Sequence, residues 1–272
     1  MHLVEKLARK LRHSIFLKKC EWLWDLLRPV YGTLLSFFFR NGVERNINGT
    51  DRIRLVMKYR YMIEVCEPEV WRRLMSEVKP GDTICDIGAF VGIYTIALAR
   101  RAKPSGSVFS FEPDQNNFND LTKHVLLNGV SDNVKLFQEA VGLSEGHLSF
   151  KAEGSCTSKI SVSSQDHSEK VRVVSLDSVF HNARMDIMKI DVEGFEENVL
   201  KGGHQLLSDP SRAPRMICME VHPYAWPEFG ASSAALLHLL KDCGYKIVFP
   251  DGKRVERIES YGHIFAYKMN TQ

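Results

Sequence analysis

"DTICDIGAFVGIYTIALARRA", residues 82–102, decides the fold. Its opening, 82–88, is a short apolar run that predicts a strand, and 92–102 carries apolar residues at helical spacing. Gly88 and Gly92 bracket the turn between them, where backbone can approach a ligand closely and helix N–H groups are presented. The turn is not GxGxxG, because position 90 is Phe, and no Lys-Ser/Thr pair follows as in a phosphate-binding loop. Asp86, two residues before the first glycine, would repel a pyrophosphate but not a cofactor bearing an ammonium or sulfonium.

Outward from this stretch the alternation repeats. Residues 106–112 predict a second strand, 116–128 a second helix and 133–142 a third strand. Period-2 stretches at 147–151 and 170–174, around a Ser-rich middle, predict an inserted hairpin over about 146–176. Alternation then resumes with strands at 185–191 and 213–223, helices at 195–207 and 232–243, and closing strands at 245–249 and 263–268. This order predicts an α/β fold with a doubly wound, mostly parallel sheet. Ligands bind such sheets outside the carboxyl ends of the strands, and Asp86, Glu112, Asp191 and Glu220 all end strands. Upstream, residues 1–40 predict two helical stretches broken at Pro29, and "NGVERNINGTDRIRL", 41–55, predicts turns around short strands. The expected division is an N-terminal helical and turn extension over 1–63 and a main domain over 64–272.

Composition is that of a soluble globular protein, 44% apolar and 25% charged, with enough apolar residues for a proper core. A net charge of +3 does not argue for nucleic acid, but residues 1–60 hold 13 Lys/Arg against 5 Asp/Glu. The six cysteines show no CxxC pair or zinc spacing, which fits a reduced, cytoplasmic protein. "YGTLLSFFF", 31–39, falls far short of the roughly 20 residues needed to span a bilayer, and it lacks the context of a signal peptide. Aromatics with flanking Arg in 22–40 leave a peripheral membrane contact open beside packing on the main domain.

Glu112 in "FSFEPD" lies 24 residues after Gly88, where a carboxylate can accept both hydroxyls of a ribose, although NAD-binding proteins share that signal. With Asp86-Ile-Gly88-Ala89-x-x-Gly92 stand Phe111-Glu112-Pro113, Ala140-Val141-Gly142, Ser175-Leu176-Asp177-Ser178, Lys189-Ile-Asp191-Val-Glu193-Gly194 and Glu220-Val-His222-Pro223. This set resembles the FkbM-type methyltransferases, S-adenosylmethionine-dependent enzymes with the Rossmann-like class I methyltransferase fold. The resemblance covers roughly residues 64–250. It implies that the Gly88–Gly92 loop, with Ala89, cradles the methionine and ribose portion, that Glu112 holds the ribose hydroxyls and that Pro113 shapes the turn. It further implies that Glu139 and Ala140 border the adenine, while Thr95 either helps through its hydroxyl or is structural. Phe90 departs from the Asn common in the family, so a polar side-chain contact is lost there.

A hydroxyl acceptor must shed its proton near the transition state of methyl transfer, so a positioned base helps. Asp191 ends the fourth strand beside the switch point, as that base or as a partner of the cofactor's amine. Glu220 and His222, two apart, are expected on one face, converging with Asp191 on the acceptor. A divalent ion on these three is the lesser alternative to a metal-free site, because Mg²⁺ prefers oxygen ligands. Glu193 is expected to cap the following helix, and Lys189 to pair with Asp191. The expected function is O-methylation of a hydroxyl on a sugar, polyketide, lipid-linked glycan or related small molecule. The alternatives are an NAD-dependent oxidoreductase or epimerase, disfavoured by the absence of a true GxGxxG, and a non-catalytic protein that binds a membrane surface or partner.

Overall fold

The computed structural model describes residues 39–151, 159–161 and 169–269. The expected N-terminal helices and the 22–40 aromatic stretch, as far as residue 38, and the middle of the Ser-rich insertion lie outside the described residues. A hairpin comes first, β1 (Val43–Ile47) and β2 (Asp51–Leu55), turned at the second Asn-Gly, where Asn48 has φ 50° and Gly49 φ 73°. Its Ile47, Ile53 and Leu55 are buried in the same core as α1 (Pro68–Glu77) and α2 (Ile93–Ala102). Asp51 locks the hairpin there by accepting a two-pronged pair from Arg101 at 2.7 and 3.0 Å and the Trp71 indole N–H at 3.0 Å.

The central sheet contains β3 (Thr83–Ile87), β4 (Ser107–Phe111), β5 (Val134–Phe137), β10 (Ile187–Ile190), β11 (Met216–Val221), β12 (Tyr245–Val248) and β13 (Gly262–Lys268). Its order is β12-β13-β11-β10-β3-β4-β5. From β11 through β10 and β3 to β5 every pairing is parallel, and only β13 runs against its neighbours. The chain leaves β3 toward one edge and crosses back to β10, so the carboxyl ends of β3 and β10 part at the switch point. Alternation sorts side chains to the two faces: along β3, Cys85 and Ile87 join one core while Ile84 joins the other. The first face is covered by α4 (Leu176–Val179), α5 (Glu196–Lys201), α6 (His204–Ser208) and α7 (Ser233–Asp242); the second by α1, α2 and α3 (Gln115–Leu127).

Two expected elements divide. The third strand, 133–142, ends as β5 at Phe137 and restarts as β6 (Ala140–Val141) in a different sheet. That second sheet has the order β6-β9-β7-β8, with β7 (Gly146–Lys151), β8 (Lys159–Ser161) and β9 (Glu169–Val174), and β6 runs parallel to β9. The helix expected over 195–207 breaks into α5 and α6 at Gly202-Gly203. A Cβ on Gly202 would sit 1.9 Å from the Gly142 carbonyl oxygen, so the glycine permits this close crossing.

Candidate active site

A cleft of about 380 Å³ opens outside the carboxyl ends of β3, β4, β10 and β11. Six carboxylates line it, Glu67, Glu112, Glu139, Asp191, Glu193 and Glu220, with no Lys or Arg among the lining residues described. Its walls are completed by Gly88, Phe90, Pro113 and Ala140 on one side and Cys66, Val192 and Tyr261 on the other.

The loop after β3 is held in left-handed backbone, with φ 78° at Gly88, 49° at Phe90 and 87° at Gly92. A Cβ at Gly88 would lie 1.7 Å from the Asp191 carbonyl oxygen, so only glycine lets the β3 and β10 loops touch. Phe90 bears the steric cost of that geometry; its ring stands edge-on to Tyr59 at 6.4 Å. Phe90 N–H is spent internally, donating to Glu112 Oε2 at 2.8 Å. Glu112 Oε1 accepts from Asp114 N–H at 3.0 Å and from the Asn117 amide at 3.4 Å. Burial pushes the Glu112 carboxyl up to about 7 against these hydrogen bonds.

Asp86 does not line the cleft; it is fully buried beneath the loop. Its Oδ2 accepts from the Thr95 hydroxyl at 2.6 Å, and Ser110 donates to that hydroxyl in turn at 3.1 Å. Asp86 Oδ1 has no hydrogen bond and lies 3.8 Å from Lys189 Nζ. Lys189 also meets Asp191 Oδ2 at 3.3 Å, the expected pairing, and stands over the Tyr94 ring. Burial works against the Lys189 charge, but Asp191 and Asp86 outweigh it and hold the ammonium above its ordinary range. Asp86 and Thr95 therefore sit behind the cleft wall, and Ala89 and Gly92 are buried in the loop that forms it. Glu139 lies in the break between β5 and β6, paired with Arg172 at 2.8 Å, and Ala140 follows it on the cleft wall.

Glu220 and His222 do not share a face. β11 ends at Val221, so the strand's alternation stops before His222, whose carbonyl accepts the Ala225 N–H of a turn. Glu220 points toward Glu67 and His263, its β13 partner, and accepts a hydrogen bond from the Tyr261 hydroxyl. Burial, and next the nearby Asp191, push Glu220 up to about 7. Glu67 is also penalised by burial, but hydrogen bonds from His263 and Tyr94 win and hold it at about 2. His222 instead approaches Asp191 and Glu193.

Glu193 is not the helix cap. It occupies φ 52°, accepts from the Tyr224 hydroxyl at 2.9 Å, and places Oε2 3.6 Å from His222 Nε2. Helix α5 begins after Phe195 with no side-chain cap; Glu196 reaches back to Gly194 N–H at 2.9 Å. Fully buried Glu196 also takes the Trp226 indole N–H and His222 Nδ1, each at 2.7 Å. Burial disfavours the imidazolium of His222, and Glu196 outweighs it, so its pKa is raised. Glu67, Glu196, Tyr261 and His263 escape sequence reasoning. Glu196 reads there as an ordinary first-turn acid, and Glu67 lies far along the chain from the neighbouring Tyr261 and His263.

A seven-stranded sheet in this order, with one reversed strand and an acid-lined cleft at its switch point, defines a class I, Rossmann-like methyltransferase. A family profile described as "Methyltransferase FkbM domain" matches residues 86–247, and the chain belongs to that family. Hexuronic acid methyltransferase AglP of Haloferax volcanii is 24% identical over 159 residues, 57% of this chain. The match spans 62% of that relative's length. Among solved structures, methyltransferase FkbM of Methylobacillus flagellatus aligns with a TM-score of 0.47 at 15% identity, covering 72% of this chain and 50% of the other. A SAM-dependent O-methyltransferase of Thermotoga maritima aligns with a TM-score of 0.46 at 17% identity, covering 79% and 69%. Among the described residues no helix is long and apolar enough to cross a membrane, and Cys66, Cys85, Cys218 and Cys243 are free thiols.

Proposed function

We propose that this protein is an S-adenosylmethionine-dependent O-methyltransferase acting on a hydroxyl of a sugar or a related glycan-like small molecule, with its catalytic unit over 64–272. The observation that carries the reading is the acid-lined cleft at the switch point. Six carboxylates without a lining Lys or Arg suit a cofactor bearing a sulfonium and an ammonium. The same wall opposes a pyrophosphate, and the Phe90 N–H in the loop already serves Glu112. The NAD alternative is therefore disfavoured on charge as well as on motif.

When bound, S-adenosylmethionine supplies an electrophilic methyl group on a sulfonium. Glu112 keeps one lone pair free on Oε2 for a ribose hydroxyl, and displacement of the long Asn117 contact at 3.4 Å opens a second on Oε1, while its backbone hydrogen bonds fix its rotamer. The loop from Gly88 through Ala89 to Gly92, with Pro113, shapes the floor, and Glu139 and Ala140 border the base. Asp86 and Thr95 support the loop from behind. Asp191, about a third exposed in the cleft and braced by Lys189, is the carboxylate assigned to the acceptor side; it acts on the hydroxyl proton or orients the cofactor's amine. Glu220 and His222 flank it from two sides, not one. A sugar acceptor is favoured by the hexuronic acid methyltransferase relative, and location in the cytoplasm, with or without a peripheral membrane contact, is part of this proposal.

Calorimetry with S-adenosylmethionine and NAD tests the cofactor: saturable binding of the former alone is expected, and binding of NAD alone overturns the reading. Asp191→Asn should lower methyl transfer by about 10²-fold or more while cofactor affinity changes little. Methylation of a hydroxyl gives an ether that survives mild alkali. A product whose label is lost in mild alkali would be a carboxyl ester and would overturn the hydroxyl assignment.

A further inference from the structure

We propose that Asp191, Glu193 and His222 bind one divalent cation, of the Mn²⁺ type, on the acceptor side of the cleft. The proposal rests on the cleft being the reaction site, and it specifies how Asp191 acts there, namely through the ion. One ligand atom from each of the three residues lies within 4.8 Å of the others, a spread that small side-chain adjustments close around an ion. His222 Nε2 and Glu193 Oε2 are 3.6 Å apart, close to the separation of neighbouring ligands on one metal but too long for a hydrogen bond.

The independent observation is the buried imidazole. His222 is 2% exposed, and its Nδ1 is held by fully buried Glu196 at 2.7 Å. With Nδ1–H donated to that carboxylate, Nε2 faces Glu193 at 3.6 Å, beyond hydrogen-bond distance; a cation bound between the two would take the place of the proton that the surrounding carboxylates favour on Nε2. A carboxylate behind a histidine is the usual outer support of a metal-ligating imidazole, since it fixes the tautomer and the ring orientation. Glu196 is itself anchored by the Trp226 indole and Gly194 N–H, and Tyr224 steadies Glu193. The second His-carboxylate group, Glu67, Glu220 and His263, differs. Its imidazole Nε2 is already engaged by Glu67 at 3.3 Å, closer than the 3.6 Å between His222 and Glu193.

Two carboxylates and one imidazole favour a cation that accepts mixed oxygen and nitrogen donors, Mn²⁺ over Mg²⁺. Three protein ligands leave positions open for acceptor oxygens, and the ion would offset charge in a wall that otherwise repels an acidic sugar.

The test uses the full chain freed of metal and titrated with Mn²⁺ alone, with free Mn²⁺ read by electron paramagnetic resonance. One Mn²⁺ per chain is expected. Glu193→Gln and His222→Gln should each weaken binding tenfold or more, and Glu196→Gln, which touches no ion, about tenfold. Glu67→Gln should leave it unchanged. Absence of saturable binding, or equal affinity in the Glu193→Gln protein, overturns the site. Should His222→Gln fail to fold, the partly exposed Glu193→Gln decides alone. Calorimetry with S-adenosylmethionine on the same metal-free protein separates the two ideas: cofactor binding without Mn²⁺ binding removes the ion and keeps the methyltransferase reading.

Discussion

Glu112 shows how one side chain links folding to cofactor affinity. Its folded carboxyl titrates near 7 because it is buried, above the ordinary value of 4.5. A raised value means that the stability this group contributes is complete below about 4.5 and is lost as pH climbs through about 7. Ionised Glu112 is also the better acceptor for ribose hydroxyls. Affinity for S-adenosylmethionine should therefore rise about tenfold between pH 6 and pH 8, and Glu112→Gln should lose that rise relative to the parent. Calorimetry across the range checks it, and parallel curves for both proteins would remove Glu112 as the ribose ligand. Gly88 offers a second test, of backbone geometry. Gly88→Ala combines a φ of 78° with a Cβ driven into the Asp191 carbonyl, and should cost about 3 kcal/mol in denaturant unfolding. Gly129→Ala, also at positive φ but facing open space, should cost only about 1 kcal/mol.

Among elements, β3 and β11 must start in register for their carboxyl ends to frame one cleft. Arg215, just before β11, clasps Asp82, just before β3, at 2.6 and 3.0 Å and also donates to the Glu77 carbonyl that ends α1. Asp82 is buried, so Arg215→Ala strands a carboxylate and should lower stability by about 2 kcal/mol, discounted for the partly exposed guanidinium. Arg215→Lys should recover only part of this, because an ammonium lacks the planar fork. Thermal or denaturant midpoints of the three proteins give the comparison. The divided elements belong to this scale as well. Strand 133–142 is interrupted by the polar pair Gln138–Glu139, where the chain leaves the sheet because β6 pairs with β9, more than 25 residues downstream. The polar pair marks the interruption locally, but not the change of sheet, which depends on the distant β9. The break at Gly202-Gly203 also had a local signal, since two adjacent glycines weaken a helix interior.

For the whole molecule, ligand binding is stabilisation. S-adenosylmethionine at one hundred times its dissociation constant should stabilise the native state by about 2.7 kcal/mol, raising the melting temperature by about 5 °C, while NAD should leave it unmoved. Glu112→Ala should abolish the shift at the same concentration. A shift with NAD and none with S-adenosylmethionine would contradict the charge argument drawn from the cleft.

The sequence by itself determined the α/β sheet, the strand-end acids and the family. Apolar periodicity and glycine turns are local properties, and a strand end is where a carboxylate can leave the core. Asp191 and Glu112 were legible for that reason. Tertiary structure alone decided that Asp86 and Thr95 stand behind the wall, that Glu220 and His222 part company where β11 ends, and that Glu193 faces His222 instead of capping a helix. It also supplied Glu196, whose burial depends on Trp226 and His222 arriving from 26 to 30 residues away. Spacing tells which side chains can share a face; only the packed chain settles where a strand stops and which buried charge finds which partner.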